Sequence, residues 1–265
     1  MLTCLPGRLA RRSRVELMLS GLGALCVALG PVHAMTIRQT RTSSYYLLLE
    51  GTAEVVVSGG IVGMSPGAVW ACPAGVAHRI RGEGRMLRLL LDAGCEQVLR
   101  AQDIEKALSA CARDRSSDRR RAARLLLALD PLRGAAAGRL RRAVRVLRRR
   151  PDEVEVLAEA ARASGWSPSR LRHLTRLHTG VSLKRLRLWA KLDRAIRLAK
   201  AGARLTDAAL DAGFSSSAHL SAAHAALVGL SPRDLVAMRN HPARSELRAA
   251  ALTDAGPAED DRLAA

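Results

Sequence analysis

One stretch of this chain, residues 157–239, contains nearly the same pattern twice. The first copy has Gly-Trp-Ser at 165–167, Leu171 and Gly-Val-Ser at 180–182; the second has Gly-Phe-Ser at 213–215, Leu220 and Gly-Leu-Ser-Pro at 229–232. The opening units lie 48 residues apart and the later landmarks lie 49 apart. Each copy places an Ala-rich helix, a glycine turn and a serine cap before a second helix. The repeat therefore predicts two helix-turn-helix motifs, with two recognition helices for one DNA.

The second helix of the first copy has the chemistry expected of a DNA-reading helix. Ser167 is predicted to cap this helix and Pro168 to occupy its first position. Leu171 and Leu174 then face inward, which leaves a polar, cationic outer face. Arginine matches guanine in the major groove, so we expect this face to bind DNA rather than to be an ordinary surface. The predicted base contacts are Ser169, Arg172 and His173, and the predicted phosphate or base-edge contacts are Arg170 and Arg176.

The second copy keeps the scaffold but has a less polar outer face. Thr206 is predicted to cap its first helix, and Ala208, Ala209 and Ala212 to form the small-residue face of that helix. Its second helix exposes serines and alanines, so direct base reading should be weak. The predicted DNA contacts there are Ser216, Ser217 and Ser221. The scaffold residues of the two motifs are Gly165, Trp166, Gly180, Gly213, Phe214, Gly229 and Pro232.

A single long helix over residues 182–201 is predicted between the two motifs. Twenty residues at about 1.5 Å each span about 30 Å. That length is close to the roughly 34 Å between successive major grooves on one face of DNA. The geometry favours two recognition helices that bind one duplex from a single chain.

Charge also favours a polyanionic partner, nucleic acid before an anionic membrane surface. The formal net charge is +19 and the isoelectric point is about 11.4. Residues 113–150 carry 14 basic and 3 acidic side chains, more than half of the excess. A general bias toward Arg and Ala in this sequence is the alternative explanation, so charge alone does not assign a function.

Short apolar segments separated by Gly and Pro turns between residues 36 and 92 predict an all-β barrel or sandwich. The predicted strands are 45–49, 53–57, 69–72 and 86–91. The segments Tyr-Leu-Leu-Leu-Glu-Gly (46–51), Pro-Gly-Ala-Val (66–69) and Cys-Pro-Ala-Gly-Val-Ala-His-Arg (72–79) resemble the paired motifs of a small cupin barrel. A metal cupin needs three or more ligands, and the candidates here are His33 and His78, with Glu50 and Glu54 as acids. We expect His78 to be a satisfied turn histidine, and no metal site, cofactor or catalytic set.

The N-terminus resembles a secretory signal, because arginines at 8–14 precede an apolar run at 17–29 and small residues at 32–34. The alternative, which we prefer, is a buried strand at 25–29 that is ended by Gly30 and Pro31. A start at Met35 is a third interpretation. The five cysteines lack metal-type spacing and are typical of a reducing compartment.

Helices and a linker are predicted between the two regions. Residues 96–111 form an amphipathic helix, 113–121 a charged turn, and 139–149 a helix with Leu140, Val144 and Leu147 inward. The Gly- and Ala-rich segment 133–138 is predicted to be the flexible linker. The Arg-rich face of 139–149 is either a solvated surface or, next to the first motif, a phosphate-contacting one.

The C-terminal residues resemble the DNA-binding domain of the AraC/XylS family of bacterial transcription regulators. The resemblance covers residues 140–239 and rests on Gly-Val-Ser (180–182), Ala-Leu-Asp-Ala-Gly-Phe (209–214) and Gly-Leu-Ser-Pro (229–232) in that order. Many members place a cupin-like sensing or dimerising domain first, as here. The sequence departs from the family pattern at Thr175, Leu220 and His224, where Phe is usual, and at Ala225 and Ala226, where basic residues are usual. These departures predict a weaker second half-site contact.

The sequence thus predicts an α+β protein whose cupin-like β-barrel precedes an all-α domain with two helix-turn-helix motifs joined by a long helix. The predicted domains are residues 15–95 (sensing or dimerisation), 96–138 (helical connector and linker), 139–241 (DNA binding) and 242–265 (flexible tail). We expect a cytoplasmic, non-enzymatic regulator that binds double-stranded DNA, with RNA polymerase, a small-molecule effector and a second copy of the chain as further candidate partners. No membrane partner is expected. The alternatives are a metal-dependent cupin enzyme with a basic appendage and a non-specific nucleic-acid binder.

Overall fold

The computed structural model describes residues 16–19, 25–32, 35–37, 40–132, 135–151 and 155–237. An antiparallel sheet comes first in the chain and a set of helices follows it. The predicted α+β class, with a β domain before a helical one, is therefore confirmed. The strands are β1 (Glu16–Leu19), β2 (Leu25–Pro31), β3 (Met35–Ile37), β4 (Thr42–Val57), β5 (Gly60–Met64), β6 (Val69–Cys72) and β7 (His78–Asp92).

Two long strands, β4 and β7, form the centre of the sheet. They pair from Thr42 opposite Asp92 to Val56 opposite Arg79. The strand order is β1-β2-β7-β4-β5, while β3 also pairs with β7 and β6 with β4. The predicted strands 45–49 and 53–57 are thus two halves of β4, the strand at 69–72 is β6, and the one at 86–91 is part of β7.

Two glycines allow an irregularity in the pairing of β4 with β7, near the middle of the two strands. The register shifts between Leu48 and Glu50, which is where a bulge bends a strand. Gly51 and Gly84 have φ angles of +86° and +124°, and a Cβ on either one would collide with the backbone of the opposite strand. Only glycine fits both conditions. The halves of β4 consequently have different outer neighbours, β6 at 44–47 and β5 at 53–57.

Side chains of β4 and β7 alternate between two cores. Tyr46, Leu48 and Ile80 are fully buried in a cluster that lies within the sheet domain. Leu47 and Leu87 are equally buried, but in a second cluster shared with the helices. Both faces of the sheet are therefore covered, and one of them is covered by the rest of the chain.

The segment with signal-like composition contributes to the sheet. Leu25–Pro31 is strand β2 and pairs antiparallel with β7, from Leu25 opposite Leu91 to Pro31 opposite Arg85. This agrees with the strand interpretation of residues 25–29. The basic residues 8–14 and the small residues 33–34 lie outside the described part. Within the described residues, no helix has both the length and the apolar character needed to cross a bilayer.

Nine α-helices and one short 3-10 helix (Ala93–Gln97) follow the main strands within the described part of the chain. They are α1 (Ala101–Arg113), α2 (Asp118–Ala128), α3 (Ala135–Arg149), α4 (Val156–Ser164), α5 (Pro168–Thr179), α6 (Leu183–Ala201), α7 (Leu205–Asp211), α8 (Ser217–Val228) and α9 (Pro232–Ala237). The predicted helix 96–111 is in fact split, and the charged turn is shorter than expected because α2 begins at Asp118. The predicted linker also differs: 135–138 form the first turn of α3, because three alanines favour helix over coil.

The packing between sheet and helices is continuous. One cluster of buried side chains joins Leu47 and Leu87 of the sheet to Leu108 of α1, Leu140 of α3 and Leu186 of α6. A second cluster places Leu90 of β7 with the apolar faces of α6, α7 and α8. The sheet and the short 3-10 helix that follows it therefore contact both helix-turn-helix units, through Leu90 and through Gly94 against Gly180. The predicted domain boundaries remain predictions.

Candidate nucleic-acid interface

The predicted reading face is exposed along α5. Ser167 caps this helix by accepting a hydrogen bond from the Arg170 backbone N–H at 3.2 Å, and Pro168 is its first residue, as predicted. Leu171, Thr175 and Thr179 are buried on the inner side. The predicted DNA contacts all lie on the exposed side, namely Ser169, Arg170, Arg172, His173 and Arg176. Their side chains share one surface.

The small buried side chain at Thr175 is accommodated without an unsatisfied polar group. Its hydroxyl donates to the Leu171 carbonyl at 2.6 Å, one turn earlier. Thr179 repeats this arrangement with the Thr175 carbonyl at 2.7 Å. Such bonds remove the penalty of burying a hydroxyl, although the side chains fill less volume than an aromatic ring. The departure from Phe at Thr175 is therefore compatible with an intact α5.

The second helix-turn-helix unit presents a smaller polar surface through α8. Ser216 caps α8 by accepting a hydrogen bond from the His219 backbone N–H at 3.1 Å. Ser217 and Ser221 are half-buried, whereas Ser216 is exposed. Of the three predicted contacts, only Ser216 is fully accessible, and its oxygen already accepts the cap bond. Thr206 is not a cap as predicted, because α7 begins one residue earlier, at Leu205.

His219 is an exposed side chain on α8 that the predicted set lacks. Its Nδ1 lies 3.0 Å from the Ser215 hydroxyl, and its ring packs edge-on against Phe214 at 5.3 Å between centroids. The repeat contains a signal for it, because a separation of 49 residues aligns His219 with Arg170. Both follow the capping serine by three residues. The second helix therefore exposes one ring that can donate or accept hydrogen bonds.

His224 occupies the inner side of α8 where a phenylalanine was expected. It is 1% exposed, and its ring lies 2.7 Å from the Leu230 carbonyl through Nδ1. A carbonyl can only accept, so Nδ1 carries the proton, and Nε2 has no partner among the described atoms. Burial lowers the pKa of His224 to about 4. The ring is therefore neutral near pH 7 and fixes the end of α8 to the turn before α9.

Glycines form the predicted turns of both motifs. The φ angles of Gly165, Gly180, Gly213 and Gly229 lie between +66° and +81°, a left-handed backbone that other residues rarely adopt. Phe214 is 3% exposed, so it fills the second motif as predicted. Trp166 in the first motif is only partly buried. The Arg139 guanidinium lies 5.3 Å from its ring centroid and covers the remaining face.

Several arginines of α3 have structural partners. Arg139 donates to the Gly165 carbonyl at 3.3 Å and Arg142 to the Ala163 carbonyl at 3.2 Å. Arg141 pairs with Asp130 at 2.7 Å. The first two hold α3 against the turn of the first motif. Part of the Arg-rich face therefore has a structural role, whereas Arg145 and Arg149 on the same helix are exposed.

The sheet domain binds the C-terminal end of α8. Three donors from the sheet domain reach three successive carbonyls: the Arg41 N–H reaches Ala226 at 2.8 Å, the Thr42 hydroxyl reaches Leu227 at 2.7 Å, and the Arg88 guanidinium reaches Val228 at 2.6 Å. These carbonyls belong to the last turn, where intrahelical partners are missing and the helix dipole is negative. A buried cation is favoured at this position. The recognition helix of the second unit is consequently fixed to the sheet.

A buried carboxylate links the sheet to α6. Asp92, at the end of β7, is 4% exposed and accepts hydrogen bonds from Arg185 at 2.7 Å and from the Trp189 ring nitrogen at 3.0 Å. Trp189 is 2% exposed, so its ring is buried beside this carboxylate. The same oxygen accepts both bonds, so the helix between the two motifs is tied to the sheet at a fixed position.

A basic cleft lies where the sheet, the first motif, α6 and the second motif meet. Its volume is about 710 Å³. Its walls include one carboxylate, Asp92, and six cationic side chains: Arg41, Arg176, Lys184, Arg185, Arg187 and Lys191. Of these, only Arg176 belongs to the residues predicted from the sequence. The cleft could not be predicted from a sequence pattern, because its residues come from separate parts of the chain.

The candidate metal ligands of the sheet domain are not brought together. His78 is buried at the start of β7, with Nδ1 3.2 Å from the Val76 carbonyl and Nε2 accepting from the Tyr46 hydroxyl at 2.6 Å. Burial lowers the pKa of His78 to about 4. Glu50 and Glu54 instead pair with Arg85 and Arg81 on the exposed surface. His33 lies outside the described residues, and among those described no group of three or more His, Cys, Asp or Glu could hold a metal ion.

Comparison with known protein families agrees with the geometry of the two motifs. Residues 160–238 match the model of a helix-turn-helix domain. The C-terminal region therefore contains a helix-turn-helix domain. The match begins within α4 and extends past α9, so it contains both motifs. A domain of this kind implies that the C-terminal region binds DNA.

Several solved structures are similar to this chain. ToxT from Vibrio cholerae O395 matches with 9% sequence identity over 83% of this chain and 99% of that chain, at a TM-score of 0.45. An AraC-type transcriptional regulator from Chromobacterium violaceum matches with 25% identity over 40% and 96% of the two chains, at 0.37. A cupin-2 domain protein from Shewanella frigidimarina matches with 13% identity over 31% and 82%, at 0.27. No curated protein matches the sequence.

Proposed function

We propose that the helix-turn-helix domain reads two adjacent major-groove segments of one DNA duplex, with base preference supplied mainly by α5. The observation that carries the proposal is the exposed face of α5. It combines three arginines, one histidine and one serine on one capped helix. Arginine and histidine donate hydrogen bonds to base edges and phosphates, and the helix N-terminus favours a phosphate. No acidic residue in the first turn of α5 opposes this charge.

The length of α6 supports simultaneous contact with two grooves. Its 19 residues span about 28 Å at about 1.5 Å per residue. One recognition helix, α5, precedes α6, and the other, α8, follows it after α7. Successive major grooves are roughly 34 Å apart. The bonds from Asp92 to Arg185 and Trp189 hold α6 in place. A fixed spacing means that the second helix is positioned once the first is bound.

The two helices are proposed to have unequal roles. The contact set Ser169, Arg170, Arg172, His173 and Arg176 provides base and phosphate contacts through α5. Ser216, Ser217 and Ser221, together with His219, provide fewer and uncharged contacts through α8. Because affinity for DNA depends strongly on cations near phosphates, α8 contributes less to binding. It serves as a weaker anchor that sets the position of the protein.

The N-terminal sheet domain is proposed to control the DNA-binding domain. It contacts α6 and α8 directly, so a small-molecule effector or a second copy of the chain that binds the sheet domain can shift the position of both. Recruitment of RNA polymerase is the corresponding route to activation. This activity belongs in the bacterial cytoplasm, where the DNA lies.

Selection from random DNA duplexes by the purified full chain tests the proposal. We expect a selected sequence with one strongly constrained segment and, about one helical turn away, a weakly constrained one. Footprinting on that duplex, and on the promoter region next to the gene, should show protection of both segments. Binding with a steep salt dependence and no sequence preference would instead identify a non-specific nucleic-acid binder.

A further inference from the structure

We propose that the basic cleft binds a small organic anion with at least two negative charges, such as a phosphate ester, and that this anion is an effector of DNA binding. The role of the anion in controlling DNA binding rests on the proposed function, whereas the binding of an anion in the cleft does not. The ligand would contact the sheet domain and both helix-turn-helix units at the same time.

The side chains that line the cleft carry an excess of positive charge. Six cationic side chains line the cleft against the single carboxylate of Asp92. That carboxylate is already bound by Arg185 and Trp189, so it neutralises one of the six and leaves an excess of positive charge. Cations gathered around a concave, partly desolvated surface repel one another. A bound anion with several charges removes this repulsion.

Three of the cations have no side-chain partner among the residues that the structure describes. Arg41, Arg176 and Lys184 make no side-chain hydrogen bond or ion pair within the described residues, yet they line one cleft. They come from the segment before β4, from α5 and from α6, respectively. In contrast, Lys191 donates to the Gly213 carbonyl at 2.5 Å. Hydrogen bonds or ion pairs with other protein groups therefore do not explain why Arg41, Arg176 and Lys184 lie together.

Lys184 lies in the first turn of α6. The N-terminal end of a helix is positive, so a cation in this turn is unfavourable for the helix. The first turn of α6 contains Lys184 and Arg185 and has no acidic residue. Gly180, Val181 and Ser182, which precede the helix, also line the cleft. A bound anion would interact favourably with the helix end and the two side chains together.

Size and lining indicate an organic ligand rather than a bare ion. A volume of about 710 Å³ lies within the roughly 300–1,000 Å³ of small-molecule sites. Val181, Leu188 and Phe214 supply apolar wall next to the cations. The cations would hold the charged group, and the apolar wall would contact the remainder of the molecule.

Occupancy of the cleft should weaken DNA binding. Arg176 is a proposed DNA contact and His219 belongs to the second recognition helix, and both line the cleft. An anion that engages Arg176 withdraws it from DNA. DNA phosphate is the other source of the same chemistry, so the experiment must separate a free anion from the DNA backbone.

Titration of the full chain with sodium pyrophosphate, followed by calorimetry at constant ionic strength, tests the site without DNA. We expect saturable binding of one pyrophosphate per chain. Lys184→Glu should weaken it at least tenfold, whereas Arg79→Glu, the same charge change at an exposed site on β7, should leave it nearly unchanged. Glu is favourable in the first turn of a helix, so Lys184→Glu should fold, and its unfolding midpoint checks this. No saturable binding, or equal weakening in both variants, would overturn the site.

DNA binding by the same proteins then identifies the source of the anion. With a free effector, pyrophosphate lowers the DNA affinity of the unsubstituted chain and has little effect on Lys184→Glu. If Lys184→Glu weakens DNA binding while pyrophosphate does not bind, the cleft holds DNA phosphate and the effector proposal is wrong. Saturable pyrophosphate binding by a chain without DNA sequence preference would leave the site intact and contradict only the proposed function.

Discussion

Arg172 and Ser221 occupy equivalent positions on the two recognition helices, and the difference between them summarises the asymmetry of the domain. Each lies one residue after a fully buried leucine, Leu171 or Leu220. Arg172 is exposed and carries a planar group with several donors, whereas Ser221 is half-buried and carries one hydroxyl. The backbone repeats, but the chemistry presented to DNA does not.

Arg172→Ala should relax base preference at one position of the selected sequence. A side chain that forms two hydrogen bonds to guanine contributes about 1–3 kcal/mol of discrimination. Affinities for duplexes substituted at each position measure the effect, and Arg197→Ala, at an exposed arginine near the end of α6, is the control. If Arg172→Ala weakens binding to all sequences equally, Arg172 contacts phosphate and not a base.

His224 should make stability depend on pH. Its pKa is lowered to about 4 in the folded chain and is about 6.5 when unfolded. The unfolded state therefore takes up the proton first, and the free energy of unfolding decreases as the pH falls from about 6.5 toward 4. His224→Phe should reduce that decrease in urea titrations at pH 7.5 and 5. His173→Phe, at an exposed ring, is the control; an equal reduction in both variants would contradict the role of His224.

At the scale of elements, the two motifs differ by one inserted residue. The capping serines, Ser167 and Ser216, are 49 residues apart, whereas the turn glycines, Gly165 and Gly213, are 48 apart. The extra residue is Ser215, which lies between Phe214 and the cap and contacts His219. The change of spacing within the repeat is thus explained by the turn. The helices themselves keep their register.

Two glycines allow the first motif to contact the sheet domain. Gly180, after α5, meets Gly94 so closely that a Cβ on either would collide with the carbonyl oxygen of the other. Gly180 also has a φ angle of +75°. Gly202, after α6, has a φ angle of +110° with open space around it. Substitution of Gly202 therefore measures the free-energy cost of the left-handed backbone alone, whereas substitution of Gly180 adds the cost of opening the contact with Gly94.

Gly202→Ala should lower the free energy of unfolding by about 1–2 kcal/mol, the cost of a left-handed backbone. Gly180→Ala should lower it by clearly more, because the backbone contact with Gly94 must also open. Urea denaturation of both variants measures the difference. Equal losses would mean that the contact between the first motif and the sheet is not maintained in solution.

At the scale of the whole molecule, the sheet domain and the DNA-binding domain share buried polar bonds. Arg88 is 5% exposed, donates to Ser44 at 2.9 Å as well as to the Val228 carbonyl, and lies 5.4 Å from the Tyr46 ring centroid. Because a buried guanidinium is costly without partners, this arrangement requires that α8 stay in place. The second recognition helix is therefore sensitive to changes in the sheet.

Arg88→Met should lower the free energy of unfolding by about 1.5–3 kcal/mol, the contribution of hydrogen bonds to a charged group. Arg79→Met, at an exposed position on the same strand, should have little effect. Urea unfolding of both variants provides the measurement. If the variants lose equal stability, the Arg88 bond to Val228 is not important for joining the two domains.

Much of the DNA-binding domain could be predicted because its signals are local. Cap serines, turn glycines and the spacing of Leu171 and Leu220 act within a few residues, so they appear in the sequence. The predicted linker at 133–138 was less accurate. There, three alanines continue into α3, and the packing of Leu140 and Val144 outweighs the glycines at its ends. The bent central strands also required pairing partners that lie between 23 (Val56 and Arg79) and 50 (Thr42 and Asp92) residues apart.

The sequence by itself therefore determined the two motifs, their order after a β domain, and the cationic face of α5. Helix periodicity and turn chemistry suffice for these features. Only the tertiary structure decided that Asp92 binds Arg185 and Trp189, that Arg88 holds the end of α8, and that Arg41, Arg176 and Lys184 line one cleft. These contacts join residues about 90 to 140 positions apart. Packing of the sheet against the helices brings the partners together, and local sequence patterns do not encode that packing.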